Sequence, residues 1–107
     1  MKGGAIVRWP GLTMPAVVLE KDIVAECIQT LQWAGWFCAQ VENKKRVKRG
    51  FSDWVIIRAG RVIFLEFKRP GGRQSGAQVD FMDGIRSHGG EYRVAYCLDD
   101  IADLLKR

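Results

Sequence analysis

The chain has 107 residues, 48% of them hydrophobic, with four Trp and five Phe, enough for one compact domain with a core that needs no disulfide staples. Its formal charge of +5 favours an anionic partner without identifying it. No apolar run approaches the roughly 18 residues of a membrane span, and the stretch from Met1 to Leu12 lacks an apolar signal core, so a cytoplasmic protein is expected.

Residues 1–16 carry three Gly and two Pro and read as an extended N-terminal arm with a short strand at Ala5–Arg8. A first helix is predicted from about Val17 to Trp33, since Ile23, Val24, Cys27, Ile28 and Leu31 follow helical spacing. On the helical wheel Glu20 falls at the centre of that stripe. A carboxylate on a buried face is costly unless it is paired or binds a cation. Equally, Glu20 is a first-turn acid that the helix dipole favours and that still reaches solvent. Ala34-Gly35 ends the helix, and Trp36 to Glu42 reads as a strand. Lys44 to Arg49 is basic at five of six positions, closed by Gly50. Trp54–Ile57 and Val62–Phe67 flank Arg58-Ala59-Gly60-Arg61, a hairpin pattern, and are apolar on both faces, as central strands of a covered sheet are. After Arg69-Pro70-Gly71-Gly72 a helix is predicted over Gly76–Ser87, with Ser75 and Gln78 as a capping box and Gly89-Gly90 as the stop. Tyr92–Cys97 reads as a strand, and Asp99 caps a short final helix to about Leu105. The expected fold is one α/β (α+β) domain over residues 1–107, a mixed sheet flanked by helices in the order α-β-β-β-α-β-α. Cys27, Cys38 and Cys97 sit in apolar runs and read as buried free thiols. With no CxxC motif and one histidine, a structural zinc site lacks ligands. Trp33, Trp36 and Trp54 read as core or interface residues, and His88 as a partner of the helix C-terminus.

Chemistry concentrates on the hairpin. If Ala59-Gly60 is a two-residue loop, Arg58 pairs with Arg61 and Asp53 falls opposite Glu66; a three-residue loop would put the two on opposite faces. In the first register the carboxylates project from one side with Cβ atoms about 5 Å apart, and Lys68 lies on that face. Like charges directly opposite are destabilising, so the arrangement wants a cation. Lys68 can supply one, and a divalent metal with oxygen ligands does so better. The plain alternative is a surface salt bridge at the frayed end of a hairpin.

Gly50-Phe51-Ser52-Asp53, the hairpin, and Glu66-Phe67-Lys68 with Arg69-Pro70-Gly71-Gly72 resemble the VRR-NUC branch of the PD-(D/E)XK nuclease superfamily, small and often stand-alone phage and bacterial nucleases. The resemblance covers about Leu19 to Leu105 and includes Glu20 on the first helix and Gln78 on the second. Ser52 stands where the family usually has Pro. The resemblance implies a restriction-endonuclease-like core and a Mg²⁺- or Mn²⁺-dependent endonuclease acting on DNA, preferring branched or four-way junction structures, as a homodimer. Asp53 and Glu66, with the Phe67 carbonyl, would be the metal ligands, and Lys68 would act on the attacking water. Glu20 would reach the metal through water or hold a second ion. Gln78 would orient Lys68 or the substrate, a role compatible with its capping box. Lys44, Lys45, Arg46, Lys48 and Arg49 read as a phosphate-tracking arm or as a solvated loop, and Arg69 and Arg73 as a grip on the other side. A noncatalytic DNA-binding module and an RNA-directed nuclease are the competing readings.

Overall fold

The computed structural model describes residues 4–9 and 12–17 as backbone and residues 20–106 in full. The apolar stripe of the first helix is realised over Glu20–Trp33 (α1), where Ile23, Cys27, Ile28 and Leu31 are buried on one face. The helix begins later than expected because Val17 belongs to a strand. Gly4–Trp9 (β1) and Leu12–Val17 (β2) pair as an antiparallel hairpin with Trp9 opposite Leu12. The N-terminal segment is thus a two-stranded sheet rather than an extended arm.

Phe37–Gln40 (β3), Trp54–Arg58 (β4), Arg61–Phe67 (β5) and Glu91–Ala95 (β6) form a second sheet in that spatial order. The β3–β4 and β4–β5 pairs are antiparallel and β5–β6 is parallel. Parallel strands need a crossover, and Gly76–Ser87 (α2) lies in it. The capping box forms as the sequence suggests: the Gln78 N–H donates to Ser75 Oγ at 3.2 Å, and the Ser75 N–H donates to Gln78 Oε1 at 2.9 Å. His88 sits at the C-cap with Nδ1 2.6 Å from the Gly84 carbonyl.

Alternation along the strands sorts two cores. Ile56, Ile63, Leu65 and Phe67 pack with the buried stripe of α1 and with Ile101 and Leu104. The last two belong to Leu98–Leu105, a 3₁₀ helix rather than the α-helix expected from Asp99 onward. Leu98, Ile101 and Leu104 recur every three residues, the period of a 3₁₀ helix. Asp100, not Asp99, supports its start, accepting the Tyr96 N–H at 2.7 Å. Trp36 is buried and ties this segment down, its Nε1–H donating to the Leu104 carbonyl at 2.8 Å. Under α2 the core is aromatic: Phe51, Phe64, Phe81 and Tyr92 stack edge-on or tilted with ring centroids 4.6–6.1 Å apart.

Coverage of that second face is partial. Phe37, Ile57 and Val62 stand side by side across β3, β4 and β5 and are exposed, so the central strands are not fully covered as their composition suggested. Trp33 is 71% exposed rather than in the core. Of the three cysteines only Cys27 is buried; Cys38 is half-buried and Cys97 exposed. Burial pushes the Cys27 and Cys38 thiols up to about 11. No helix among the described residues is long and apolar enough to cross a membrane.

The β4–β5 turn is the two-residue form. Ala59 and Gly60 have φ of 51° and 81°, both positive as in a type I′ turn, and Arg58 pairs with Arg61. Alanine carries a steric penalty in that conformation, whereas asparagine adopts it more readily. Ala59→Asn should therefore raise the unfolding free energy by about 0.5 kcal/mol, read from urea denaturation. A loss of stability would contradict the turn assignment.

Candidate active site

The site stands at the open end of the β4–β5 hairpin. The ladder runs from Arg58 opposite Arg61 to Trp54 opposite Leu65, so the next step outward sets Asp53 across from Glu66. Ser52, where a proline is common in the resembling family, is fully buried and its Oγ–H donates to the Trp54 carbonyl at 3.0 Å. A hydroxyl bonded two residues ahead holds this bend by hydrogen bonding where a proline would hold it by ring geometry. The backbone is fixed further by the Val41 N–H, which donates to the Asp53 carbonyl at 2.8 Å.

Glu66 has no solvent exposure. The Tyr92 hydroxyl donates a short hydrogen bond to its Oε1, and Gln74 Nε2 donates to the same oxygen at 3.3 Å. Oε2 is buried with no hydrogen-bond partner, and its nearest cation is Lys68 Nζ at 3.7 Å. Burial, followed by the Glu66 contact, pushes the Tyr92 hydroxyl well above its ordinary value, so it remains a proton donor. Lys68 is held at the end of β5 by its N–H, which donates to the Ala95 carbonyl at 3.0 Å. Glu66 and Lys68 therefore meet as the two-residue spacing predicts.

Asp53 is half-buried, and both its oxygens are engaged. Oδ2 accepts the Phe67 N–H at 3.2 Å. Oδ1 pairs with Lys44 Nζ at 2.7 Å, which also donates to the Phe51 carbonyl at 2.7 Å. Lys44 is 39% exposed and Asp53 29%, and partly exposed ion pairs are worth less than about 1 kcal/mol. The contact is weak enough for a stronger cation to replace it.

The donors fit a hard divalent cation. A buried carboxylate oxygen without a partner costs roughly 1–3 kcal/mol or more, and a cation beside Glu66 Oε2 would remove that cost. Among the described residues no three Asp, Glu, His or Cys side chains converge. Two carboxylates with backbone oxygen and water suit Mg²⁺, which keeps several waters and takes one or two carboxylates. A zinc-like cage of nitrogen and sulfur ligands does not fit.

Glu20 lies apart from that pair. It is exposed at the first residue of α1, beyond the buried stripe, so the wheel gives it the right angle but not a place in the interior. It shares an open cleft of about 460 Å³ with Asp53, Lys44 and Trp54. Gln78 engages its capping box, and the glutamine that reaches Glu66 is Gln74. Neither Gln74 nor Tyr92 stands out in the sequence. Tyr92 faces Phe64 across the parallel β5–β6 pair, two residues before Glu66 on the same face, a register that local patterning does not reveal.

Lys45, Arg46, Lys48 and Arg49 are exposed, as are Arg69 and Arg73. Asn43, with φ of 54°, turns the chain into a 3₁₀ turn at Lys44–Arg46. This loop abuts the start of α2: Lys48, Arg49, Ser75 and Gln78 line a cleft of about 510 Å³. Gly50, with φ of +82°, makes the approach possible, since a Cβ there would collide with the Ala77 carbonyl.

Comparisons with known proteins identify the family and the fold. The family described as VRR-NUC domain matches residues 3–98. A solved structure described as a VRR_NUC domain is 16% identical over 80% of this chain and 92% of its own, with a TM-score of 0.69. A second, a VRR_NUC domain protein, is 17% identical over 82% and 85%, with a TM-score of 0.62. The Archaeoglobus fulgidus Holliday junction resolvase Hjc is 21% identical over 72% and 63%, with a TM-score of 0.49. No curated protein matches. The mixed four-stranded sheet with flanking helices is the restriction-endonuclease-like fold.

The close approach at Gly50 sets a prediction. Gly50→Ala should cost about 2 kcal/mol or more in urea denaturation, from the left-handed backbone and the collision together. Gly84→Ala in α2, where a Cβ meets open space, should instead stabilise by up to about 1 kcal/mol. Equal effects would mean that the loop is not seated against α2.

Proposed function

The chain belongs to the VRR-NUC domain family of nucleases, and from that premise we propose that it is a Mg²⁺- or Mn²⁺-dependent endonuclease hydrolysing DNA phosphodiester bonds. The observation that carries this reading is the buried, unpartnered Oε2 of Glu66 beside Lys68. A salt bridge at a frayed hairpin end would leave that oxygen to water. Preference for branched DNA such as four-way junctions, and a homodimer that presents two sites to such a substrate, rest on the family likeness alone.

Asp53, Glu66 and the Phe67 carbonyl would hold the ion, with Glu20 reaching it through water from the mouth of the cleft. When bound, the ion supplies Lewis-acid polarisation of the phosphodiester. The protein's own groups do the rest. Lys68, held against Glu66, orients the attacking water and offsets charge building on the phosphate. Lys44, released from Asp53, joins Lys45, Arg46, Lys48 and Arg49 as a basic arm that tracks the backbone, with Arg69 and Arg73 across the glycine turn. Gln78 holds the start of α2 beside that arm.

Labelled four-way junction, flap and linear duplex DNA should be cut with Mg²⁺ or Mn²⁺ and spared in EDTA. Asp53→Asn and Lys68→Ala should each lose at least about 100-fold in rate. Binding without cleavage of every substrate would favour a noncatalytic module, and cleavage confined to matching RNA an RNA-directed enzyme. Cutting undiminished in both variants would place the site elsewhere. Light scattering of the protein in solution tests the dimer.

Binding should also fall steeply with salt. Neutralising Lys45, Arg46, Lys48 and Arg49 should flatten the log–log slope by roughly 0.7–0.9 for each phosphate that these side chains neutralise. An unchanged slope would remove the loop from the nucleic-acid surface.

A further inference from the structure

We propose that Tyr92 and Gln74 are positioning residues that make Glu66 a one-oxygen ligand and thereby set the choice of metal in favour of Mg²⁺ and Mn²⁺ over Ca²⁺. The proposal rests on the reading of Glu66 as a metal ligand and specifies which atom binds.

The terminal torsion of a glutamate is broad and roughly two-fold, so a free carboxylate offers either oxygen or both. Here two donors converge on one of them. The Tyr92 hydroxyl and Gln74 Nε2 both donate to Oε1, and Oε2 is left without a hydrogen bond in a fully buried position. The donors are themselves held. The Tyr92 ring is buried, with its centroid 6.1 Å from that of Phe81 on α2, and β6 holds its backbone opposite Phe64. Gln74 Nε2 also lies 3.7 Å from Met82 Sδ on α2. Rotating the carboxylate to present both oxygens would break two hydrogen bonds to a side chain that has no solvent exposure.

That constraint discriminates between ions. Mg²⁺ demands near-octahedral coordination at about 2.0–2.1 Å and is served by single carboxylate oxygens, whereas Ca²⁺ accepts bidentate carboxylates in looser shells. An Oε1 committed to Tyr92 and Gln74 denies calcium its bidentate option and leaves magnesium's ligand undisturbed. Such supporting groups behind metal ligands typically control affinity by roughly 10–100-fold.

The test is metal binding by the full chain without nucleic acid. Mn²⁺ binding is followed by electron paramagnetic resonance with Mg²⁺ and Ca²⁺ as competitors, and calorimetry provides a second measure. Tyr92→Phe keeps the ring and removes only the hydroxyl; Gln74→Leu removes the second donor and covers the case in which the first variant does not fold. Expected are a fall of about tenfold in Mn²⁺ and Mg²⁺ affinity and a Ca²⁺ affinity that holds or rises, so that the Mg²⁺/Ca²⁺ ratio drops in both variants. A merely structural role would weaken all three ions alike or none. Unchanged ratios in both variants, with binding abolished by Glu66→Gln, would overturn the proposal and leave Glu66 as a ligand. Wild-type binding unaffected by Glu66→Gln would overturn the proposal together with the reading it rests on.

Discussion

A carboxylate withdrawn from water must be compensated from within the fold, and Glu66 is the group around which this sheet is arranged. Removing a charge from solvent costs several kcal/mol even after relaxation. No single element can meet that cost. The hairpin supplies Lys68, the glycine-rich turn leads to Gln74, and the crossover through α2 brings β6 and its Tyr92 alongside β5. Tyr92 and Gln74 hydrogen-bond Oε1, and Lys68 offsets the charge at Oε2 from 3.7 Å, which leaves that oxygen without a hydrogen bond.

The two faces of the sheet divide the labour. The face under α1 is closed and mainly aliphatic, with Ile56, Ile63 and Leu65 fully buried beside Phe67. The face under α2 carries the ring cluster, the acidic pair and Lys68, and it stays partly open along Phe37, Ile57 and Val62. Stability and chemistry thus alternate along the same strands, because successive side chains of a strand point to opposite faces. Gly50 brings the basic loop against the start of α2 by close backbone approach, so the cationic surface and the acidic pair lie at one end of the sheet.

What can be read from the sequence follows the range of the interactions. The Asp53–Glu66 register depends on one tight turn, and Ala59-Gly60 between apolar runs carries it in local sequence. The capping box at Ser75 and Gln78 is equally local. Glu20 is half legible: a helical wheel reports the angle of a side chain but not how far along the helix the core extends. For Lys44, a basic run reveals charge but not direction, and the left-handed Asn43 turns that side chain onto Asp53. Tyr92 is hidden because the offset between parallel strands is set by the length and packing of the connection, and Gln74 because the loop that folds it back onto Glu66 carries no periodic pattern. The three-residue period of Leu98, Ile101 and Leu104 is visible, but an aspartate cap ahead of it suggests an α-helical pitch that the segment does not adopt.

The type I′ turn also bears on the order in which the site assembles. A two-residue hairpin closes within microseconds and at little loop-entropy cost, so Asp53 and Glu66 can meet early in folding. Tyr92 lies 26 residues from Glu66 and arrives only once α2 has crossed and β6 has docked in parallel, a slower, non-local step. In a hairpin without β6 the acidic pair would be open to water. Docking of β6 would exchange that water for a phenol, so that the charge is buried in the step that supplies its hydrogen-bond donor.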